Sequence, residues 1–150
     1  MIKIVEGDIL QATESIIGHQ VNCQGVMGAG LAKQIRVMYP IVFNGYKNYC
    51  NNRHPYDLLG EVQLIQVSNE KYIANIFAQL NYGRKKLIYT DYESLSKGMN
   101  YLKDLARKYD KSITLPYGIG CGLAGGDWNV VHKLIQEVFE DYEVTLYKFK

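Results

Sequence analysis

The stretch Asn22-Cys23-Gln24-Gly25-Val26-Met27-Gly28-Ala29-Gly30-Leu31-Ala32-Lys33-Gln34-Ile35 (NCQGVMGAGLAKQI) decides how this chain is read. It follows residues 16–21, an apolar run with the length and composition of a buried strand. Glycines at 25, 28 and 30 come next, and Leu31-Ala32-Lys33-Gln34-Ile35 starts a helix. Strand, glycine turn and helix together leave the first N–H groups of the helix without intrahelical acceptors, which makes an anion site. Glycine lets the main chain approach a phosphate closely or take φ > 0. A second stretch, Pro116-Tyr117-Gly118-Ile119-Gly120-Cys121-Gly122-Leu123-Ala124-Gly125-Gly126-Asp127-Trp128, repeats the device. Two such loops on one small chain predict two walls of a cleft for a diphosphate-bearing ligand.

Outward from these loops, the sequence predicts strands at 2–5, 16–21, 60–67, 72–78, 112–115 and 143–149. Residues 60–67 alternate apolar and polar with period two, whereas 72–78 are almost all apolar and read as an interior strand. Helices are predicted at 29–38, ending before Pro40, at 41–49, at 91–109 and at 127–139. In the third, Thr90 and Glu93 form a capping box, and Leu95, Met99, Leu102 and Ala106 make the buried stripe. Asp127 reads as the N-cap of the fourth. The segments 51–57 and 79–89 read as surface loops, with His54 exposed. The alternation of strands and helices argues for one domain over residues 1–150, an α/β sandwich with a mostly parallel sheet. Ligands of such sheets sit beyond the carboxyl ends of the strands, where both glycine loops fall.

Composition narrows the classes. At 150 residues, 47% apolar and 21% charged, this is an ordinary globular composition. A net charge of +2 is too mild for a dedicated nucleic-acid binder. The one basic cluster, Arg84-Lys85-Lys86, reads as a solvated loop. Three cysteines without metal-ligand spacing, no leader peptide and no long apolar span make the cytoplasm the expected home, with no membrane partner. Cys23 and Cys121 lie inside the glycine loops; packing is the favoured reading, a thiol nucleophile the other. The 13 tyrosines cap the core with hydroxyls reaching water, a few being available to stack on a base. Asp8, after the first strand, either closes an Asx turn or accepts from an exocyclic amine. His19, in the strand before the first loop, is either a satisfied core residue or a catalytic one. No metal and no cofactor are expected.

Three motifs in this order, Gly7-Asp8-Ile9-Leu10, residues 22–32 and Gly118-Ile119-Gly120-Cys121-Gly122-Leu123, resemble those of a macrodomain, and the resemblance runs over nearly the whole chain. It implies a three-layer α/β/α sandwich with a mixed, mostly parallel central sheet, and ADP-ribose or an ADP-ribosylated substrate as partner, nucleic acid entering only as the modified substrate. Asp8 would bond the adenine amino group beside the Ile9 backbone, and Asn22 would lie near the distal ribose. Gly28, Ala29, Gly30 and Leu31 would hold one side of the diphosphate. Gly118, Ile119, Gly120, Cys121, Gly122 and Leu123 would hold the other. Within the family, the resemblance is to the branch of terminal ADP-ribose glycohydrolases, DNA ADP-ribosyl hydrolases and ADP-ribose 1″-phosphate phosphatases. The implied function is hydrolysis of an ADP-ribose derivative, with His19, which matches a histidine of the phosphatases, as acid/base. The alternative is a reader that binds without turnover. Two departures support the reader: no lysine stands near Gln79, and Ala124 occupies the place of an aspartate that some glycohydrolases use.

Overall fold

The computed structural model describes residues 1–149. Strand β1 (Ile2–Glu6) ends at Gly7, and a 3-10 turn (Ile9–Gln11) follows, capped by the Asp8 carboxylate, which accepts from Leu10 N at 2.9 Å. β2 (Ile16–Asn22) leads through the first glycine loop into α1 (Gly30–Met38). α1 stops at Tyr39 because the residue before a proline avoids the α region, and Pro40 then opens α2 (Pro40–Asn51) from the first helical position. β3 (Val62–Ser68) and β4 (Lys71–Gln79) form a hairpin. α4 (Tyr92–Tyr109), β5 (Ile113–Pro116), α5 (Trp128–Val138) and β6 (Val144–Lys148) complete the chain.

Two expectations need correction. The segment 51–57 is not all loop, since Pro55–Leu58 forms one helical turn, α3. His54 Nδ1 accepts from Tyr56 N at 3.3 Å and caps that turn. The signal was Pro55 at the first helical position, easily read as a breaker instead. The capping box at Thr90 does not form either. Asp91 occupies the cap position, and its carboxylate accepts from Ser94 Oγ at 2.8 Å. The Thr90 hydroxyl instead donates to the Gly120 carbonyl at 2.7 Å, a partner distant in sequence.

The strands form one sheet in the order β1-β6-β5-β2-β4-β3, all parallel except β3, which runs antiparallel to β4. Each face carries its own core, as period-two alternation requires. On one face, Leu95, Met99, Leu102 and Ala106 of α4 and Val131 and Ile135 of α5 pack on Ile16, Ala74, Ile76, Leu115 and Leu146. On the other, Ile35 of α1, Val42 and Tyr46 of α2 and Leu58 of α3 pack on Ile17, Val21, Ile73 and Phe77. This is the three-layer α/β/α sandwich with a mixed, mostly parallel sheet. β2 and β5 are neighbours, yet β2 exits toward α1 on one face and β5 toward α5 on the other. Their carboxyl ends therefore diverge and leave a crevice between them.

The approach of α4 to the sheet sets a testable limit. Gly98 is buried in the middle of α4, and a Cβ there would lie 2.6 Å from Ile76 Cγ2. Alanine is favoured over glycine in a helix by about 1 kcal/mol, but overpacking a core costs roughly 1–3 kcal/mol. Gly98→Ala is therefore expected to lower stability by about 1 kcal/mol in urea unfolding; a stabilised variant would show that helix and sheet separate easily.

Candidate functional site

A cleft of about 430 Å³ opens at the divergence of β2 and β5. One wall is residues 28–32, the end of the first loop and the start of α1; the other runs from Pro116 to Ala124. His19, Gln20 and Asn22 of β2 and Gln79 of β4 contribute between them, and Tyr82, Gly83 and Arg84 border it from the segment after β4.

The first loop is held by Asn22. Its Oδ1 accepts from Gln24 N at 2.9 Å, and its Nδ2 donates to Val26 O at 2.7 Å. The buried Tyr46 hydroxyl lies 2.7 Å from the Asn22 carbonyl and 2.8 Å from Oδ1, so its single proton is shared between them. Asn22 lines the cleft as expected, but its amide already serves the loop. Beyond this brace the amides of Gly28, Ala29, Gly30, Leu31 and Ala32 find no internal acceptor among the described residues. Gly30, at φ 57°, turns the chain into α1 through a region that only glycine occupies freely.

The second loop folds on itself in a way that sorts its amides. Ile119 N and Cys121 N bond back to the carbonyls of Pro116 and Gly118, at 3.0 and 2.9 Å. Gly118, Gly120, Gly122, Leu123 and Ala124 have no internal acceptor for theirs, and all five line the cleft. Gly120, at φ 75°, sits so close to β2 that a Cβ would meet Gln20 Oε1 at 2.9 Å and Thr90 Oγ1 at 3.1 Å. Gln20 Nε2 donates to Gln79 Oε1 at 3.0 Å and to Thr90 Oγ1 at 2.9 Å, so the loop is tied to two strands. The Ala124 carbonyl accepts from Tyr89 N and Thr90 N, which fixes the segment after β4 to the same loop.

The structure brings most of the expected residues together. Gly28, Ala29, Gly30, Leu31, Asn22 and His19 line the cleft with Gly118, Ile119, Gly120, Gly122 and Leu123. Cys121 does not; its Sγ lies 3.4 Å from the Ile119 carbonyl. Asp8 and Ile9 also lie outside the cleft lining, in the turn after β1, which packs against β5. Asp8 is exposed and Ile9 belongs to the core.

The chemistry of the lining is narrow. Among the described residues, no carboxylate and no lysine lines the cleft. Burial pushes the Cys23 thiol up to about 12 and, helped by the Asp127 charge, the Cys121 thiol up to about 11. Neither is a thiolate at neutral pH, which favours the packing role. Asp127 accepts from Asn129 N at 2.9 Å and caps α5, as its position in the sequence suggested. Sequence reasoning missed Gln20, Gln79, Tyr82 and Arg84. Of the basic cluster, Arg84 borders the cleft, whereas Lys85 and Lys86 line an adjoining recess.

His19 is buried, with Nε2 2.6 Å from Asn75 Oδ1 and Nδ1 without a partner. Burial brings its pKa from 6.5 down to about 4, against the smaller opposing effect of the Asn75 bond. Between those values the unfolded chain holds a proton that the folded one lacks. Stability is therefore complete above the unfolded pKa and is lost as pH falls through this window. Unfolding free energy is expected to be roughly 2 kcal/mol lower at about pH 5 than at about pH 7.5. Urea titrations at both values check this, and a pH-independent result in that window would contradict the burial of a neutral imidazole.

A family model described as Macro domain matches residues 19–135. The chain is 28% identical to a DNA ADP-ribosyl glycohydrolase of Mycobacterium tuberculosis, over 98% of this chain but only 42% of that protein. It is 28% identical to an ADP-ribose 1″-phosphate phosphatase of Meyerozyma guilliermondii, over 97% of this chain and 95% of that one. The solved macrodomain of DarG from Mycobacterium tuberculosis superposes with a TM-score of 0.82 at 26% identity, covering 98% of this chain and 97% of the other.

Proposed function

The chain belongs to the macrodomain family, and on that premise we propose that its cleft binds ADP-ribose and hydrolyses an ADP-ribose derivative. One observation carries this reading. Residues 28–32 on one side of the cleft, and Gly118, Gly120, Gly122, Leu123 and Ala124 on the other, present unbonded main-chain amides, and such paired amides suit the two linked phosphates of ADP-ribose. In this reading the diphosphate lies between the loops and the adenine extends toward Asp8 and Ile9. The terminal ribose lies by Asn22, His19 and the 118–123 loop. Candidate substrates are ADP-ribose 1″-phosphate and ADP-ribosyl esters on protein or nucleic acid. Relatives named DNA ADP-ribosyl glycohydrolase and ADP-ribose 1″-phosphate phosphatase support the nucleic-acid and phosphate members of this set. Water supplies the hydroxyl that ends on one product and the proton that ends on the other, so no further reactant is needed.

The residues present shape the mechanism. An arginine does not surrender its proton at neutral pH, so Arg84 serves as an anion contact and not as an amine nucleophile. With no carboxylate or lysine in the lining among the described residues, positioning by the amides and a water held near His19 carry the catalysis. The same scarcity of titratable groups favours a second reading, a module that binds ADP-ribose without turnover. Calorimetry with ADP-ribose, run beside release assays on the three substrates, separates them. Micromolar-class binding, about −8 kcal/mol, with release from at least one substrate is the expected result. Binding with no release above buffer would leave the reader, and absence of binding would reject both.

A further inference from the structure

Three side chains form a row across the sheet. Gln63 of β3 pairs in register with Asn75 of β4, and Asn75 with His19 of β2, all on the face that carries α1 and α2. At the edge, Gln63 Nε2 donates to the Gly45 carbonyl of α2 at 3.1 Å. A main-chain carbonyl only accepts, so it fixes which end of the Gln63 amide points toward it. Gln63 Oε1 therefore faces inward and accepts from Asn75 Nδ2 at 3.1 Å. That bond turns Asn75 Oδ1 toward His19 Nε2, 2.6 Å away, and an amide oxygen likewise only accepts. Each step sets the polarity of the next, and the last places the imidazole proton on Nε2.

We propose that this row, anchored on the Gly45 carbonyl, holds His19 as the Nε2–H tautomer. Nδ1 then serves as a hydrogen-bond acceptor for a hydroxyl or water of the bound ligand, with Asn75 and Gln63 as positioning residues. His19 lines the cleft, and its Nδ1 is buried without a partner among the described residues, so a donor from the ligand would complete the set. A bare nitrogen lone pair repels a phosphate oxygen. His19 thus recognises a ribose hydroxyl or a water, not the diphosphate, and at Nδ1 it accepts a hydrogen bond instead of donating one. The ligand half of this inference rests on the ADP-ribose reading; the tautomer half does not.

Long-range proton–nitrogen correlation spectra of ¹⁵N-labelled protein at neutral pH, without and with ADP-ribose, test both halves. The expected apo spectrum shows a pyrrole-type Nε2 and a pyridine-type Nδ1, and ADP-ribose moves the Nδ1 resonance. Gln63→Met, at a half-buried edge-strand position, leaves the fold intact and frees the Asn75 amide to flip. It is expected to mix the two tautomers and to weaken ADP-ribose binding about two- to threefold, in proportion to the Nε2–H form lost. Asn75→Asp should protonate both ring nitrogens at neutral pH, since a carboxylate stabilises the imidazolium. An Nδ1–H ring in the wild type, or a tautomer unchanged in Gln63→Met, would overturn the relay. ADP-ribose that binds while Nδ1 stays unmoved would overturn the acceptor role alone. A correct tautomer with no ADP-ribose binding would instead count against the ligand reading.

Discussion

Gly122→Glu should fold like the wild type and lose ADP-ribose binding. Gly122 is exposed on the cleft wall, and a Cβ there meets nothing within 4 Å. Its φ is not among the left-handed glycines, so a side chain is accepted without backbone strain. The substitution therefore acts only on what the wall faces. A carboxylate beside a diphosphate about 5 Å away costs on the order of 3 kcal/mol at the effective dielectric of a protein surface. This corresponds to a loss of at least about 100-fold in affinity. Gly122→Ser, which adds bulk but no charge, should stay within a few-fold. Calorimetry gives the affinities and thermal unfolding the stabilities. Wild-type affinity in Gly122→Glu would mean that the anion lies elsewhere.

Asn22→Ala should damage fold and binding together. Asn22 is 7% exposed, and its amide supplies an acceptor to Gln24 N and a donor to Val26 O. Truncation leaves both main-chain groups unpaired under the loop, at about 1–3 kcal/mol each before water or local shifts recover part of it. The Tyr46 hydroxyl keeps the Asn22 carbonyl at 2.7 Å, so it adds little to the loss. A stability loss of about 3 kcal/mol is expected in urea titration. Binding should weaken roughly tenfold or more, because the amides beyond the loop lose their fixed direction. If Asn22 acted only as a ribose ligand, binding would fall with stability unchanged, and the bracing role would be wrong.

The parts of this protein that were legible in its sequence are those set by local pattern. The stripe Leu95, Met99, Leu102 and Ala106 is fully buried, and Asp127 caps α5 as a residue of its type does before a helix. The two glycine loops lie at strand ends because turn chemistry is written in adjacent residues. Partners distant in sequence were not legible. Thr90 looked like a helix cap from its neighbours but bonds Gly120, thirty residues on. Gln20 and Gln79 carry no motif; their value comes from β2 and β4 lying side by side. The match of Gln63, Asn75 and His19 depends on strand register, which no periodicity discloses. Arg84 borders the cleft from the segment after β4, whose far end at Tyr89 and Thr90 bonds the Ala124 carbonyl, a contact between residues distant in sequence. The family resemblance added the ligand to this picture, and the family model matching residues 19–135 bears out the family.

A grip on one diphosphate by amides of two loops is tested by titrating ¹⁵N-labelled protein with ADP-ribose and following the amide chemical shifts. Large shifts are expected for residues 28–32 and for Gly118, Gly120 and Gly122, with smaller ones at Ile119 and Cys121, whose N–H groups are already bonded within the loop. Shifts confined to the Arg84-Lys85-Lys86 segment, or none in either glycine loop at saturating ligand, would contradict it.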